Sequence, residues 1–204
     1  MQDIDRRHFL ASAAATGTLL ASPPKLFAQN SMTAMPQIAV ADLTSGSNVP
    51  YAMDLRTGSH NFGTGAATDT FGINSDYLGP LVKVRRGQEV QFDVTNNIGE
   101  LTAVHWHGLH IPGDVDGGPH QSIQPGATWS LVLTIDQPAG LNWFHAHTHG
   151  HTMPQVYKGL AGLLLIEDDD SIAADLPKTF GVEEFAVVLQ DKHLRCGWKS
   201  DSND

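Results

Sequence analysis

The residues with the clearest capacity for chemistry are histidines, and most of them fall in two short clusters. Seven of the 11 histidines lie in HWHGLH at 105–110 and HAHTHGH at 145–151, and each cluster opens with an H-x-H pair. Residues two apart in a β-strand point to the same face and lie about 6.5 Å apart. Two neighbouring strands would therefore present four imidazoles to one pocket. The four are His105, His107, His145 and His147.

An all-imidazole pocket of this kind favours copper. Neutral imidazole binds copper, zinc, iron and nickel, and the affinity order favours Cu(II) where thiolates and clustered carboxylates are absent. The two members of a pair are too widely spaced to chelate one ion comfortably, which fits a site where each serves a different ion. The alternatives are two unrelated H-x-H strands and a histidine-rich tract that resembles a purification tag. The neighbouring aromatic residues Trp106 and Phe144 and the turn residues Gly108 and Gly150 argue against both alternatives.

The other histidines of the mature chain are expected to have lesser roles. His60 and His193 stand alone and are interpreted as surface or turn residues. Four more lie within or beside the two clusters but outside the H-x-H pairs, and they are candidates for an accessory metal role. These are His110, His120, His149 and His151.

The composition limits the classes of protein to which the chain can belong. Its 204 residues, 41% hydrophobic and 17% charged with 20 Gly and 11 Pro, suit one or at most two globular domains with many turns and short strands. Twelve basic and 22 acidic residues give a net charge of −10, which disfavours nucleic acid as a partner. The single cysteine, Cys196, excludes an internal disulfide and any zinc site built from several thiolates.

Short strands are expected to position the histidines. Residues 89–96 and 129–135 alternate apolar and polar side chains, which predicts half-buried strands. The continuous apolar runs 160–166 and 185–189 are typical of strands buried on both faces. Residues 56–76, rich in Gly, Thr, Ser and Asn, are expected to form a loop with at most one short strand. Since no segment favours a helix longer than a turn or two, the prediction is an all-β sandwich or barrel.

The N-terminal residues 1–28 have the composition of an export signal. Arg6 and Arg7 precede a mildly apolar stretch at 9–21, and the small residue Ala28 follows two prolines. This pattern resembles a twin-arginine signal peptide, which places the mature protein in the periplasm or outside the cell. An exposed amphipathic helix is the alternative, but the stretch has no charged face. The stretch is also shorter than the roughly 20 residues of a membrane span.

Two longer stretches carry a specific family resemblance. HWHGLHIPGDVDGGPHQSIQPGATW begins at residue 105 and NWFHAHTHGHTMPQVYKGLAGLLLIEDDD at residue 142. Together they resemble the first cupredoxin domain of three-domain multicopper oxidases, close to bacterial copper efflux oxidases and to bilirubin-oxidase-like and laccase-like enzymes. The resemblance covers residues 65–192 and implies an all-β, cupredoxin-like Greek-key β-sandwich. Residues 29–64 would then be an extended N-terminal segment and residues 193–204 an atypical, disordered tail.

The resemblance also implies which residues bind copper. The first histidine of the HWHG motif, His105, corresponds to a type 2 copper ligand, and three others correspond to ligands of the type 3 copper pair. Those three are His107, His145 and His147. Asp116, in the VDGG segment, matches an acid that the family links to proton delivery while O2 is reduced to water. A plain turn carboxylate beside Gly117 and Gly118 is an equally good interpretation of that residue.

Other parts of the family pattern do not occur in these 204 residues. The H-x-x-H-x-H and H-C-H motifs, which in the family supply the other four histidines of the trinuclear cluster, are missing from the sequence. The type 1 copper site is missing too, because Cys196 has no flanking histidine and is expected to be a free thiol. The resemblance therefore implies half of a trinuclear copper site in a chain that alone is not competent for turnover. A partner chain could supply the missing C-terminal cupredoxin domain.

Two alternatives to half of an oxidase stay open. The same imidazoles could serve a periplasmic copper-sequestering module, whose tight binding would be lost when His105 and His107 are replaced by alanine. Its affinity should fall as the pH drops through about 6.5, because protonated imidazole cannot bind a metal. The chain could also be a non-functional remnant that aggregates through exposed domain contacts.

Overall fold

Nine β-strands and two short helices make up the part of the chain that the structure, a computed structural model, describes: residues 37–63 and 65–194. The predicted signal peptide at 1–28, Cys196 and most of the predicted tail lie outside these residues. The strands are β1 (Val40–Asp42), β2 (Tyr51–His60), β3 (Thr68–Ile73), β4 (Leu81–Arg85), β5 (Glu89–Asn97), β6 (Val104–His107), β7 (Thr128–Thr134), β8 (Gly140–Ala146) and β9 (Ala161–Glu167). The helices are α1 (Thr152–Lys158) and α2 (Asp169–Ala173).

The strands form two sheets that enclose one apolar core. The five-stranded sheet has the order β1-β4-β9-β8-β6, and the four-stranded sheet has the order β3-β2-β5-β7. The chain crosses repeatedly between them: β4, β6, β8 and β9 belong to the first sheet, and β5 and β7 to the second. The largest fully buried side chains include Trp106, Phe92 and Phe144. The predicted all-β sandwich is thus confirmed.

Alternation of apolar and polar residues explains the pairing of β5 with β7. The two strands are antiparallel, with Phe92 opposite Leu131 and Val94 opposite Trp129. The apolar members of these strands face the core, while their polar neighbours form cross-strand pairs on the outer face. One such pair is Thr95 with Thr128, whose hydroxyl oxygens lie 2.9 Å apart. The predicted strands at 89–96 and 129–135 are therefore present.

Residues 56–76 differ from the sequence-based expectation, because they contain the second half of β2 and all of β3 rather than a loop with at most one short strand. These strands form an antiparallel pair, and β2 also lies parallel to β5. The glycines in the segment are strand residues that other backbone approaches closely. A Cβ atom at Gly58 would lie 2.2 Å from the Asp76 carbonyl oxygen, and one at Gly72 would lie 2.1 Å from that of Ser75. Glycine inside a strand often marks such a close approach.

Residues 185–189 also differ from the expectation. They belong to no strand within the described residues, and Phe185, Val187, Val188 and Leu189 are exposed. The predicted buried strand is therefore wrong for this segment. The other apolar run, 160–166, does form a strand, β9, with one face buried and the other partly covered. Neither described helix exceeds seven residues, and none is long and apolar enough to cross a membrane.

Candidate metal centre

Strands β6 and β8 bring the two H-x-H pairs side by side, with three of the histidines inside the strands and His147 one residue beyond the end of β8. The two strands are antiparallel, with His105 opposite His145 and Trp106 opposite Phe144. Trp106 and Phe144 are fully buried in the core, so the alternation of a strand directs the neighbouring imidazoles to the opposite face of the sheet. β6 is the last strand of its sheet, and the histidines therefore gather at a sheet edge.

The structure brings all four predicted histidines together. The ring centroid of His105 lies 5.5 Å from that of His107, 5.5 Å from that of His145 and 5.2 Å from that of His147. His107, His145 and His105 each offer a ring nitrogen, and these nitrogens lie within 4.8 Å of one another. The shortest contact joins His107 Nδ1 and His145 Nε2 at 3.2 Å. These rings could therefore act together on one or two cations.

Hydrogen bonds to carbonyl oxygens orient two of the rings. His105 Nδ1 lies 2.9 Å from the Asp116 carbonyl oxygen, and His145 Nδ1 lies 2.9 Å from that of Ala146. A carbonyl only accepts, so Nδ1 must carry the hydrogen in both rings, and Nε2 keeps its lone pair in the neutral form. A second ring nitrogen held in this way is typical of histidines that bind metal ions.

The residues present fit a copper ion. All the converging donors are imidazole nitrogens, and His107 Nδ1 and His145 Nε2 are close enough to share a proton or to direct two lone pairs at one cation. The buried Nδ1 of His147 has no hydrogen-bond partner among the described residues. A buried polar atom left in this state calls for a further group that satisfies it.

Burial lowers the pKa of His145 from 6.5 to about 4. The hydrogen bond to the Ala146 carbonyl oxygen opposes this shift, and the neighbouring imidazoles add to it. His145 is only 5% exposed, so desolvation of the charged form is the main physical cause. His145 is therefore neutral at neutral pH, which is the form that binds a metal ion.

Asp116 contacts the cluster through His105. Its carboxylate oxygen Oδ2 lies 3.2 Å from His105 Nδ1, and its side chain is one third exposed, at 33%. Its carbonyl oxygen also accepts from the backbone N–H of Trp106. The next residue, Gly117, has φ of +77°, and a Cβ atom there would lie 1.6 Å from the Val104 carbonyl oxygen. Glycine is thus required for the loop to lie against β6.

The other histidines of residues 37–63 and 65–194 lie outside the cluster. His110, His120, His149 and His151 are exposed. His60 stacks on Tyr77, with ring centroids 4.9 Å apart. His193 is exposed and donates its backbone N–H to the Tyr157 hydroxyl oxygen.

Sequence reasoning missed one aromatic neighbour of the cluster. Trp143 stacks on His145 with ring centroids 4.0 Å apart and an interplanar angle of 22°. It also lies 5.0 Å from the His107 ring. The signal that could have found it is its position two residues before His145 on the same strand, which puts both side chains on one face.

A two-sheet sandwich with an all-imidazole cluster on a sheet edge defines a cupredoxin-like copper protein. Known proteins agree with this class: the family model described as multicopper oxidase matches residues 54–171. The chain belongs to the multicopper oxidase family, a family of copper-binding oxidoreductases, and the resemblance noted in the sequence is confirmed.

Individual relatives and a solved structure support the same family. The chain is 36% identical over 191 residues to cell division protein FtsP of Glaesserella parasuis, covering 93% of this chain and 40% of that protein. It is 39% identical over 142 residues to multicopper oxidase mco of Staphylococcus aureus, covering 70% and 31%. The solved laccase-like multicopper oxidase CueO from Ochrobactrum sp. superposes with a TM-score of 0.69 at 38% identity, covering 74% and 33%. The chain thus spans at most about 40% of the length of these relatives.

Proposed function

We propose that this chain supplies four histidine ligands of a trinuclear copper site in a multicopper oxidase that reduces O2 to water. In this proposal His105 serves the type 2 position, and the type 3 positions use His107, His145 and His147. Bound copper ions would supply the one-electron redox chemistry. The observation that carries the proposal is the 3.2 Å contact between His107 Nδ1 and His145 Nε2, which suits two ligands of one ion.

The protein's own groups would orient the ligands and move a proton. The Asp116 carbonyl oxygen orients the His105 ring, and the partly exposed carboxylate of Asp116 reaches both solvent and the His105 ring. Since reduction of O2 to water consumes protons, we propose that Asp116 Oδ2 holds a proton and delivers it on the His105 side of the cluster. The stacked indole of Trp143 would shield His145 from water.

The remaining ligands would come from residues other than these 204. Neither an H-x-x-H-x-H nor an H-C-H motif occurs in the sequence, so we propose that another cupredoxin domain supplies them and the type 1 copper. Export by the twin-arginine route, supported by Arg6 and Arg7, belongs to the same proposal.

Copper titration of the purified protein tests the ligand set. We expect calorimetry to detect Cu(II) binding that falls by more than about 100-fold in the double variant His105→Ala/His107→Ala. Loss of a ligand should exceed the roughly 10- to 100-fold cost of losing an outer-shell partner. His193→Ala, at an exposed histidine far along the chain, is the matched control and should bind as the wild type does. Equal binding by the wild type and the double variant would contradict the proposal.

Oxygen consumption separates half of an oxidase from a complete one. With Cu(I) or a phenol as electron donor, the copper-loaded 204-residue protein is expected to consume no oxygen steadily, because it carries no type 1 ligand set. Steady uptake at an oxygen electrode would overturn this expectation.

A copper-sequestering module is the second candidate, favoured by the convergence of four imidazoles within one pair of neighbouring segments. The two candidates differ in affinity. Half of a trinuclear site should lose Cu(II) to a weak competing chelator such as glycine, whereas a sequestering module should retain it.

A further inference from the structure

One buried polar side chain joins the two segments that carry the histidines. Gln155, in α1, is fully buried. Its Oε1 accepts hydrogen bonds from the hydroxyls of Thr102, at 3.0 Å, and Thr148, at 3.3 Å. Its Nε2 donates to the Leu101 carbonyl oxygen, at 2.8 Å, and to Glu100 Oε1, at 3.0 Å. All four hydrogen-bonding positions of the amide are therefore used.

The partners of Gln155 flank the histidine cluster. Thr102 lies three residues before His105, and Thr148 directly follows His147. Both threonines are at most 2% exposed, so their hydroxyls depend on partners within the protein. A single amide thus links the segment that enters β6 to the segment that leaves β8.

Among the four histidines, His147 is the one whose position is not fixed by strand pairing. β8 ends at Ala146, so the other three histidines lie in strands and His147 does not. Its backbone N–H donates to the Ala103 carbonyl oxygen at 3.0 Å. The Gln155 amide adds the second attachment, through the next residue, Thr148.

We infer that Gln155 is a positioning residue for the metal centre: its amide holds the His147 segment against the segment that precedes His105. The assignment to a copper site rests on the proposed function. The residue touches no imidazole itself, and it acts through Thr102 and Thr148. Its loss should move the His147 ring relative to the other three.

The chemistry of the four contacts explains why the residue is an amide. Two partners are donors, the threonine hydroxyls, and two are acceptors, the Leu101 carbonyl and the Glu100 carboxylate. Glutamate would turn an acceptor toward both acceptors, and methionine would leave all four partners unsatisfied. Neither replacement changes the length of the side chain greatly, so each removes hydrogen bonds with little change in volume.

Two substitutions at this position, with a stability control, test the inference. In Gln155→Met we expect Cu(II) affinity to fall about 10- to 100-fold, the range found when an outer-shell partner is lost. The hyperfine splitting of the Cu(II) electron paramagnetic resonance spectrum should change as well. Leu133→Ala is the control, because it leaves a cavity at a fully buried residue of the four-stranded sheet. It should lower stability while leaving affinity and spectrum as in the wild type, at a temperature where circular dichroism shows all variants folded.

A second pair of variants tests the amide chemistry directly. Gln155→Glu should weaken copper binding because its carboxylate faces Glu100. Adding Glu100→Gln restores a donor to that contact and should recover part of the affinity, while Glu100→Gln alone should have little effect. Failure of the double variant to recover any affinity would contradict the hydrogen-bonding role.

The metal-free protein separates this inference from the proposed function. Nuclear magnetic resonance of the imidazoles should show a larger change at His147 in Gln155→Met than in Leu133→Ala. If the wild type binds no copper but His147 shifts in this way, the proposed function fails and the positioning of His147 stands. If both variants lose copper equally and shift His147 equally, the positioning role is overturned, because general destabilisation then accounts for both effects.

Discussion

Two apolar runs that look alike in the sequence lie in opposite environments. Residues 160–166 and 185–189 both have the composition of a strand buried on two faces. The first run forms all but the last residue of β9, in which Leu164 and Ile166 are 1% exposed, whereas Leu189 in the second run is 92% exposed. The difference is therefore one of partners rather than of composition.

The neighbours of β9 account for its burial. β9 pairs in parallel with β4 on one edge and antiparallel with β8 on the other, and the four-stranded sheet covers its inner face. No described strand pairs with residues 185–189. An apolar run in the sequence indicates only that burying the segment would be favourable, because apolar surface would leave water. Whether the segment is buried depends on strands from distant parts of the chain. Exposed apolar residues grouped in this way are typical of interaction surfaces.

Side-chain contacts just beyond the exposed run hold it to the sandwich. The ammonium group of Lys192 lies 4.2 Å from the ring centroid of Tyr157, 5.2 Å from that of Tyr77 and 5.7 Å from that of Phe62. Gln190 accepts a hydrogen bond from the Tyr77 hydroxyl. The second run is thus attached at one end by cation–π and polar contacts, while β9 is held along its length by sheet pairing and packing.

The same substitution in both runs should give the largest contrast. Leu164→Ala leaves a cavity in the core and is expected to lower the free energy of unfolding by about 2–5 kcal/mol. Leu189→Ala removes an exposed side chain and should change it by less than about 0.5 kcal/mol. Denaturant unfolding followed by circular dichroism measures both. Equal losses would show that residues 185–189 are buried in solution and would abolish the comparison.

A smaller effect should follow from adding one methyl group beside the metal centre. A Cβ atom at Gly162 in β9 would lie 2.3 Å from Cζ of Phe144, the residue before His145. Gly162→Ala is expected to cost about 1–3 kcal/mol by overpacking and to weaken Cu(II) binding by moving β8. Gly140→Ala, where nothing lies within 4 Å of the new atom, is the matched control. Thermal unfolding and copper titration should leave the control near the wild type, and an equal response from both variants would contradict the prediction.

The smallest effect on global stability is expected at Lys192, which holds the end of the exposed run to the sandwich. Lys192→Met keeps the alkyl chain but removes the charge that the three rings surround. A cation–π contact contributes about 0.5–2 kcal/mol. The population of molecules in which residues 185–189 have come away from the sandwich should therefore rise on the order of 2- to 30-fold. Proteolysis by chymotrypsin within residues 185–189 should accelerate by that factor, with the thermal midpoint almost unchanged. Lys178→Met, at an exposed lysine away from these three rings, should leave the cleavage rate unchanged. An unaltered cleavage rate in Lys192→Met would contradict the view that Lys192 holds residues 185–189 to the sandwich.

The parts predicted well from the sequence are those governed by local period. Alternation in β5 and β7 predicted the right faces, and spacing of two correctly placed His105 and His107 on one face of β6. In the second pair only His145 lies in β8, and His147 follows one residue after the strand ends. The convergence of the four rings needed one further condition, the pairing of β6 with β8, and the structure meets it with His105 opposite His145. The roles of these histidines as ligands, and of Asp116 in proton delivery, stay predictions.

The parts predicted poorly depend on residues far apart in the chain. Gly58 and Gly72 belong to the segment predicted to form a loop, yet they lie in strands where the backbone of residues 75 and 76 passes close by. Gln155 gave no signal, because an amide in a short helix is unremarkable until its partners from residues 100–102 and 148 surround it.

By itself the sequence determined the chemistry that is available, namely imidazoles in pairs with no thiolate beside them, and the faces of the strands that carry them. These properties follow from residue type and from the two-residue period of an extended backbone. Only the tertiary structure decided that His107 and His145 meet at 3.2 Å, that β9 is covered and that residues 185–189 are not. Contacts of this kind join segments many residues apart, and their free energy depends on the packing and desolvation of the whole fold.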